Sequence, residues 1–459
     1  MAGDVSISEL SALSGQSFRL RNEAGTSNMR RIVELDGIRA FAILMVITHH
    51  YYPFTTMFYG LPEFGWVGVE LFFVLSGFLI TSILLQLKGR PHPYRIFYAR
   101  RILRIFPPYY IILLSILVIA TLQHDHFSWP KIVGKVFFLQ SFGKSPIVFA
   151  HIIHTLQGRL PFPNPFERTH LPDAMHGFSV HGGFSKSFVP TWSLSVEEWF
   201  YILWAPLVLR FRRKTLGVIC VITCIGALFI RWFGFLGFDT YFDFFSRIDV
   251  LMGGALLALW IERRRALPAQ IQQRWDSVLS WASSACWLLV AAILYSRKPV
   301  LGRDIRNDLL FMVFGLPLIV MGFSGTLNHI IRHAGSHRPL SRFLRFKPFV
   351  VVGTISYTLY LVHVPMYFLV NEAAVRFGIF PTGSYIGAVA IALISVAFSL
   401  CLAWASFLYF ETPILKYKDQ LTYRILRNKT ATIVPTNVDV VPAATGQEAN
   451  VPTTGAVRS

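Results

Sequence analysis

Cysteine is almost missing from this 459-residue sequence: Cys220, Cys224, Cys286 and Cys401 are all it holds. Each lies within an apolar segment, so neither a disulfide framework nor a thiolate metal site is indicated. Acidic residues are scarce too, 24 against 43 lysines and arginines, for a net charge of +19. In a soluble protein that imbalance would suggest nucleic-acid binding. Here the basic residues fall in short loops between apolar runs, where they report topology instead. Residues 1–35 lack the short apolar core and small-residue cleavage site of a secretory signal, so the first apolar span is expected to be an uncleaved anchor. No long internal repeat is evident.

What the sequence does hold is apolar surface. Hydrophobic residues make up 54% of the chain and the mean hydropathy is +0.51, beyond what a soluble globular protein carries. The expected fold is all-α, a polytopic membrane helix bundle of about ten transmembrane helices at about 20 apolar residues per crossing. Spans are expected near 37–57, 65–87, 105–123, 190–209, 215–236, 243–261, 277–296, 308–325, 348–370 and 384–410. Basic clusters between them, such as Arg95, Arg100, Arg101 and Arg104 or Arg263, Arg264 and Arg265, place both termini in the cytoplasm of a cell that keeps this protein in its inner membrane. Arg297, Lys298, Arg303 and Arg306 are the exception to that pattern. Three parts follow: a polar cytoplasmic segment 1–35, a transmembrane domain 36–415 with an outer loop 124–189, and a disordered cytoplasmic tail 416–459. The run 132–142 is too short to cross and reads as a re-entrant or interfacial piece.

Ionisable residues inside the spans carry the functional signal, because charge in a bilayer faces a bundle interior or a wet cavity. Arg39 and His50 stand eleven residues apart in the first span. Eleven steps of 100° overshoot three turns by about 20°, so both share one helix face about 16 Å apart. That separation suits a long substrate with an anionic head held by Arg39 and a far end worked on by His50. Glu70, Glu197, Glu198, Arg247, Asp249 and His363 lie toward the outer ends of their spans and are expected to form an outward-side polar chamber. A carboxylate beside His50 would fix its tautomer and stabilise its imidazolium; Glu197 is the first candidate and Glu70 the second. An interhelical ion pair that locks the bundle is the alternative for Glu70 and for Arg247 with Asp249. Tyr357, Tyr360 and Trp192 are candidate oxyanion donors. On the inner side, Arg101 and Arg104 stand three apart in YARRILRIFPPYY, so both guanidinium forks can face one phosphate-bearing ligand.

These residues occur in a series of segments: Arg39 and His50, then GVELFFVLSGFLI, RRILRIFPPY, PTWSLSVEEWFYILW, SYTLYLVHVP and FETPILK with Glu411 and Pro413. In this order they resemble the integral-membrane acyltransferase-3 family of O-acyltransferases, over residues 33–415. The resemblance implies an enzyme that moves an acyl group, most often acetyl from acetyl-CoA, onto a hydroxyl of a saccharide, glycan or glycoside. It implies His50 as the essential histidine, Arg39 as its first-span partner, Arg101 with Arg104 as the coenzyme A phosphate site, and Glu197 as the glutamate of the WSL-x-V-E segment. Glu70 departs from the pattern, since many relatives carry Asp there. Some relatives add a C-terminal hydrolase-like domain for the acceptor; the tail here is too short for one, so a separate acceptor-handling protein is expected. The residues leave open a direct general-base transfer and an acyl-histidine intermediate.

A secondary transporter or flippase is the alternative class, since it also buries ionisable residues in a ten-span bundle. Against it, transport does not require inner arginines aligned with a deep histidine, and matching pairs of broken helices are not apparent. The loop 124–189 holds seven of the fourteen histidines: His124, His126, His151, His154, His170, His176 and His181. Their spacing is irregular and no cysteine or carboxylate cluster accompanies them, so no metal site is expected; the loop is read as a roof that contacts the acceptor.

Overall fold

A computed structural model describes residues 32–51, 62–123, 129–142, 190–232, 241–296, 308–380 and 384–417, and every regular element among them is helical. The seven histidines of the outer loop, the four basic residues 297, 298, 303 and 306, and nearly all of the N-terminal segment and the tail lie outside the described residues. The helices are α1 (Val33–His50), α2 (Val67–Leu87), α3 (Pro93–Leu122), α4 (Trp129–Val136), α5 (Trp192–Arg210), α6 (Arg213–Trp232) and α7 (Phe244–Arg264). They continue with α8 (Ala269–Ser296), α9 (Leu316–Arg332), α10 (Pro339–Leu344), α11 (Lys347–Thr354), α12 (Ser356–Arg376) and α13 (Tyr385–Ser406).

Among the described residues, seven helices are long and apolar enough to cross a membrane, and α11 with α12 passes the same test together across a bend of 75°, as a broken span or a re-entrant loop does. The two long helices outside that group are α1 and α5. They miss it because of Glu34, Asp36 and Arg39 in one and Glu197 and Glu198 in the other. Neither needs an apolar surface all round, because neighbours cover much of both, leaving Phe41 and Leu44 of α1 and Ile202 and Leu203 of α5 exposed. Helix α1 touches α2, α10, α11 and α12, and Val196, Phe200, Trp204, Ala205 and Val208 of α5 are fully buried. By contrast α6 and α8 show long apolar side chains outward, Ile222, Phe229, Trp281 and Leu288 among them, as helices do whose outer face meets lipid tails. The chain is therefore a multi-pass membrane bundle.

The centre of the bundle is the crossing of α2 and α7. Gly77 of α2 faces the Leu251 carbonyl and Gly254 of α7 faces the Val74 carbonyl, each so closely that an added Cβ would overlap the oxygen. Gly77→Leu is expected to separate the two helices, cost about 1–3 kcal/mol through overpacking, and lower both the melting temperature in detergent and the monodisperse yield. Gly217→Ala, where nothing lies within 4 Å of the new methyl, is the matched control, and helix propensity favours it by up to about 1 kcal/mol.

Two elements differ from the sequence expectation. Helix α3 begins at Pro93 and runs 30 residues, about 45 Å, so Arg101 and Arg104 lie well inside it and not at the start of a span near 105. Arg101 there packs over the rings of Phe97 and Tyr201, while Arg95 and Arg104 stay exposed; a hydropathy window ends the span at such charges although the helix continues. The expected straight span near 348–370 is broken between Thr354 and Ser356. Gly353 there meets the Asp36 carbonyl of α1 with no room for a Cβ, and Ser356 Oγ donates to the Gly353 carbonyl. The run 132–142 forms the end of α4 and a turn that is tied into the bundle. Tyr109 and Tyr110 donate to the carbonyls of Lys135 and Val136, both at 2.8 Å, and Trp199 Nε1 donates to the Phe138 carbonyl at 2.9 Å. Phe138 takes a left-handed φ of 54° and stacks on Tyr109 at 4.4 Å.

Candidate active site

Helix α1 carries both residues that the sequence placed on one face, and it delivers them to two different polar neighbourhoods. Toward its N-terminal end Arg39 Nη1 donates to Asp36 Oδ1 at 2.8 Å, one turn back, and its charge interacts with Arg104 and Arg101 of α3. Arg101 lies over the ring of Tyr201 at 5.6 Å and of Phe97 at 5.9 Å. Its charge also meets Glu198 and Glu197 of α5. Arg104 interacts with Glu411, whose Oε1 accepts from Thr358 Oγ1 at 2.6 Å. Three arginines and a set of carboxylates thus converge at one level from α1, α3, α5 and the chain that follows α13.

That convergence corrects the expected position of Glu197. It accepts from Tyr201 Oη at 2.9 Å, and the same phenol is 2.9 Å from Ser76 Oγ; the carboxylate faces the arginines and does not orient His50. Glu198 stays beside it on the arginine side. The depth expected from sequence measured each residue from the apolar edge of its own span. Arg101 stands eight residues into α3, a rise of about 12 Å, which lifts its guanidinium to the level of the α5 carboxylates.

At the opposite end of the helix, His50 is the last residue of α1. Its Nδ1 is 2.9 Å from Nε2 of His363, a fully buried side chain of α12, and the rings are tilted by 33° with centroids 5.1 Å apart. His363 Nδ1 lies 2.7 Å from the Tyr360 carbonyl. Tyr51, the residue after His50, donates to the His363 carbonyl at 2.8 Å and stacks on Tyr367 at 4.7 Å.

Glu70 also has a partner other than His50. It forms a fully buried ion pair with Arg247 of α7, whose guanidinium covers the Tyr241 ring at 4.7 Å. Arg247 and Asp249 do not pair with each other. Two residues apart on a helix they point about 200° apart, and Asp249 instead accepts two bonds from Arg231 of α6, at 3.0 and 2.6 Å. The tyrosines expected as oxyanion donors are committed elsewhere. Tyr357 donates to the Ile105 carbonyl at 2.8 Å, and Tyr360 donates to the Pro190 carbonyl at 2.7 Å while meeting Ser193 Oγ at 2.7 Å. Trp192 packs edge-on against Phe73.

Sequence reasoning gave no role to Arg231, Tyr201, Ser76 or Glu411. Arg231 was detectable as a basic residue at the outer end of its span, against the usual inner placement. Glu411 was detectable as a carboxylate closing an apolar helix. Tyr201 and Ser76 carried no signal, because single tyrosines and serines are ordinary in such helices.

The bundle and its polar interior define a membrane protein built around one enclosed helix, with an arginine cluster toward one end and an imidazole pair at the other. A family profile described as an acyltransferase domain matches residues 32–407, and the chain belongs to this acyltransferase-3 family. It is 27% identical over 431 residues to the peptidoglycan O-acetyltransferase OatA of Listeria monocytogenes, covering 87% of this chain and 59% of that protein. It is 27% identical over 360 residues to the putative peptidoglycan O-acetyltransferase YrhL of Bacillus subtilis, covering 74% and 49%. The O-acetyltransferase OatA of Staphylococcus aureus is 25% identical over 401 residues, covering 84% and 58%. The chain thus spans between half and three fifths of the length of these curated relatives. No solved structure matches it.

Proposed function

We propose that this chain is an O-acyltransferase that takes an acetyl group from acetyl-CoA on the cytoplasmic side of the cell membrane and passes it to a saccharide hydroxyl at the outer side. The observation that carries this reading is α1 itself, one buried helix that holds Arg39 among the α3 arginines and His50 against His363. Both termini are assigned to the cytoplasm on the charge of the inner loops. Peptidoglycan, stated in the names of two relatives, is the first acceptor to test.

The inner cluster fits a phosphate-bearing donor. Neither Arg101 nor Arg104 makes a hydrogen bond or ion pair with a described residue; Arg101 is half-buried and Arg104 exposed, so their forks are available to phosphoryl oxygens. Arg39 already donates to Asp36 and contributes mainly charge. Acetyl-CoA, a consumed substrate, would supply the thioester. His50 would take the proton of the acceptor hydroxyl as the new C–O bond forms and the C–S bond breaks, and would return it to the departing thiolate.

Purified protein in nanodiscs, given labelled acetyl-CoA and soluble peptidoglycan fragments, is expected to release free coenzyme A and labelled ester together. Movement of saccharide across a vesicle without thioester turnover would replace this reading with a carrier. The double variant Arg101→Ala with Arg104→Ala is expected to raise the KM for acetyl-CoA roughly 10–100-fold, the loss of one or two charged hydrogen bonds, with kcat within about threefold. A Lys at either position restores charge without the bidentate fork and recovers only part of that loss. An unchanged KM in the double variant removes these arginines from the donor site.

A further inference from the structure

The contact between His50 and His363 joins two ring nitrogens at 2.9 Å, and such a contact holds one hydrogen between them. Which ring supplies it is decided one bond further on. His363 Nδ1 is 2.7 Å from the carbonyl of Tyr360. A carbonyl oxygen only accepts, so His363 carries its hydrogen on Nδ1 and, as a neutral ring, presents a lone pair at Nε2. The hydrogen in the contact therefore belongs to His50 Nδ1. A neutral His50 holding its hydrogen on Nδ1 carries its basic lone pair on Nε2.

We propose that His363 is the positioning residue of the site, the group that fixes His50 in its Nδ1–H tautomer and leaves Nε2 as the base. The proposal rests on the acyltransferase reading for what that base does. The carboxylates expected for the task, Glu197 and Glu70, are bonded to Tyr201 and Arg247, and His363 stands where a carboxylate was anticipated. It is well held. Its side chain is fully buried, its own carbonyl accepts from Tyr51 Oη at 2.8 Å, and Tyr51 is the chain neighbour of His50, so α1 and α12 are tied together at the reacting ring.

The chemistry differs from that of a histidine backed by an acid. When His50 takes the acceptor proton on Nε2, its Nδ1–H bond to His363 becomes charge-assisted and strengthens. The positive charge is then shared through His363 toward the Tyr360 carbonyl, with no buried anion required before the reaction. Between turnovers the pair is neutral, a state that needs no counter-ion in a low-dielectric interior.

The test reads tautomer and turnover separately. In protein labelled with 15N-histidine and held in nanodiscs, nitrogen NMR is expected to show His50 protonated at Nδ1 and bare at Nε2, with His50→Gln used to assign the signal. In His363→Leu the His50 hydrogen is expected to move to Nε2 in part or in full, and kcat to fall on the order of 10²–10³-fold with the KM for acetyl-CoA unchanged. His363→Gln, whose amide oxygen can accept from His50 Nδ1, is expected to stay within about tenfold of the parent kcat. Thermal unfolding of each variant checks that it folds. A wild-type His50 with its hydrogen on Nε2 overturns the proposal, and so does a folded Leu variant with unchanged kcat, or equal losses in folded Leu and Gln variants. Because the tautomer is measured without substrate, a chain that shows the expected tautomer but turns over no thioester would overturn the acyltransferase reading and not the hydrogen-bond assignment.

Discussion

His50→Ala leaves a folded, membrane-inserted protein that makes no ester above background. The residue terminates α1 and is half-buried, so its removal costs little packing, and the helix before it remains anchored by Ile43, Val46 and Ile47, all at most 2% exposed. What is lost is the group that accepts the hydroxyl proton. General-base contributions alone are about 10²–10⁴-fold. A neutral hydroxyl must otherwise attack the thioester without that base, and Glu197 and Glu70 are held by Tyr201 and Arg247. The measurement is ester formation from labelled acetyl-CoA, with donor binding followed separately by isothermal titration. Donor affinity should be unchanged, because the arginine cluster lies about 16 Å along the helix. Undiminished transfer by a folded His50→Ala protein would take His50 out of the mechanism.

The second large effect falls on stability. Arg247→Met removes one half of an ion pair whose two side chains are both completely buried, leaving Glu70 enclosed without its cation. Breaking a buried pair costs about 3–5 kcal/mol, because the surviving charge keeps its desolvation penalty and loses the attraction that offset it. The variant is expected to melt well below the parent in the same detergent, with lower yield of monodisperse protein. Adding Glu70→Leu is expected to recover most of the loss, since replacing both partners with apolar groups removes the penalty along with the pair. The double variant separates roles: if Glu70 and Arg247 only lock α2 to α7, it regains stability and retains transfer. A single Arg247→Met variant as stable as the parent would show that the pair contributes nothing to holding the two helices together.

The positions of the ten long segments were readable from the sequence because a bilayer imposes one demand on every crossing, about 20 apolar residues with their backbone satisfied internally. Where that demand was relaxed, the reading slipped. Helix α3 extends back to Pro93 through four arginines, Arg95 and Arg104 among them exposed, and a hydropathy window does not register a helix that continues beyond its apolar part. The break at Ile355 comes from the close passage of Gly353 over the Asp36 carbonyl, a contact between segments more than three hundred residues apart. The family was legible as well, since its segments are contiguous and their order is a property of the chain.

The sequence by itself determined that Arg39 and His50 share a helix face, because the 3.6-residue period assigns faces within any one helix. It determined equally that the ionisable residues would turn inward, because lipid tails offer them no partner. Only the tertiary structure decided who those partners are: His363 for His50, 313 residues away, Arg247 for Glu70 and Arg231 for Asp249. A period fixes the direction in which a side chain leaves its helix, but the neighbour it meets depends on which helices pack together and at what depth, and that is settled by contacts distributed over the whole bundle.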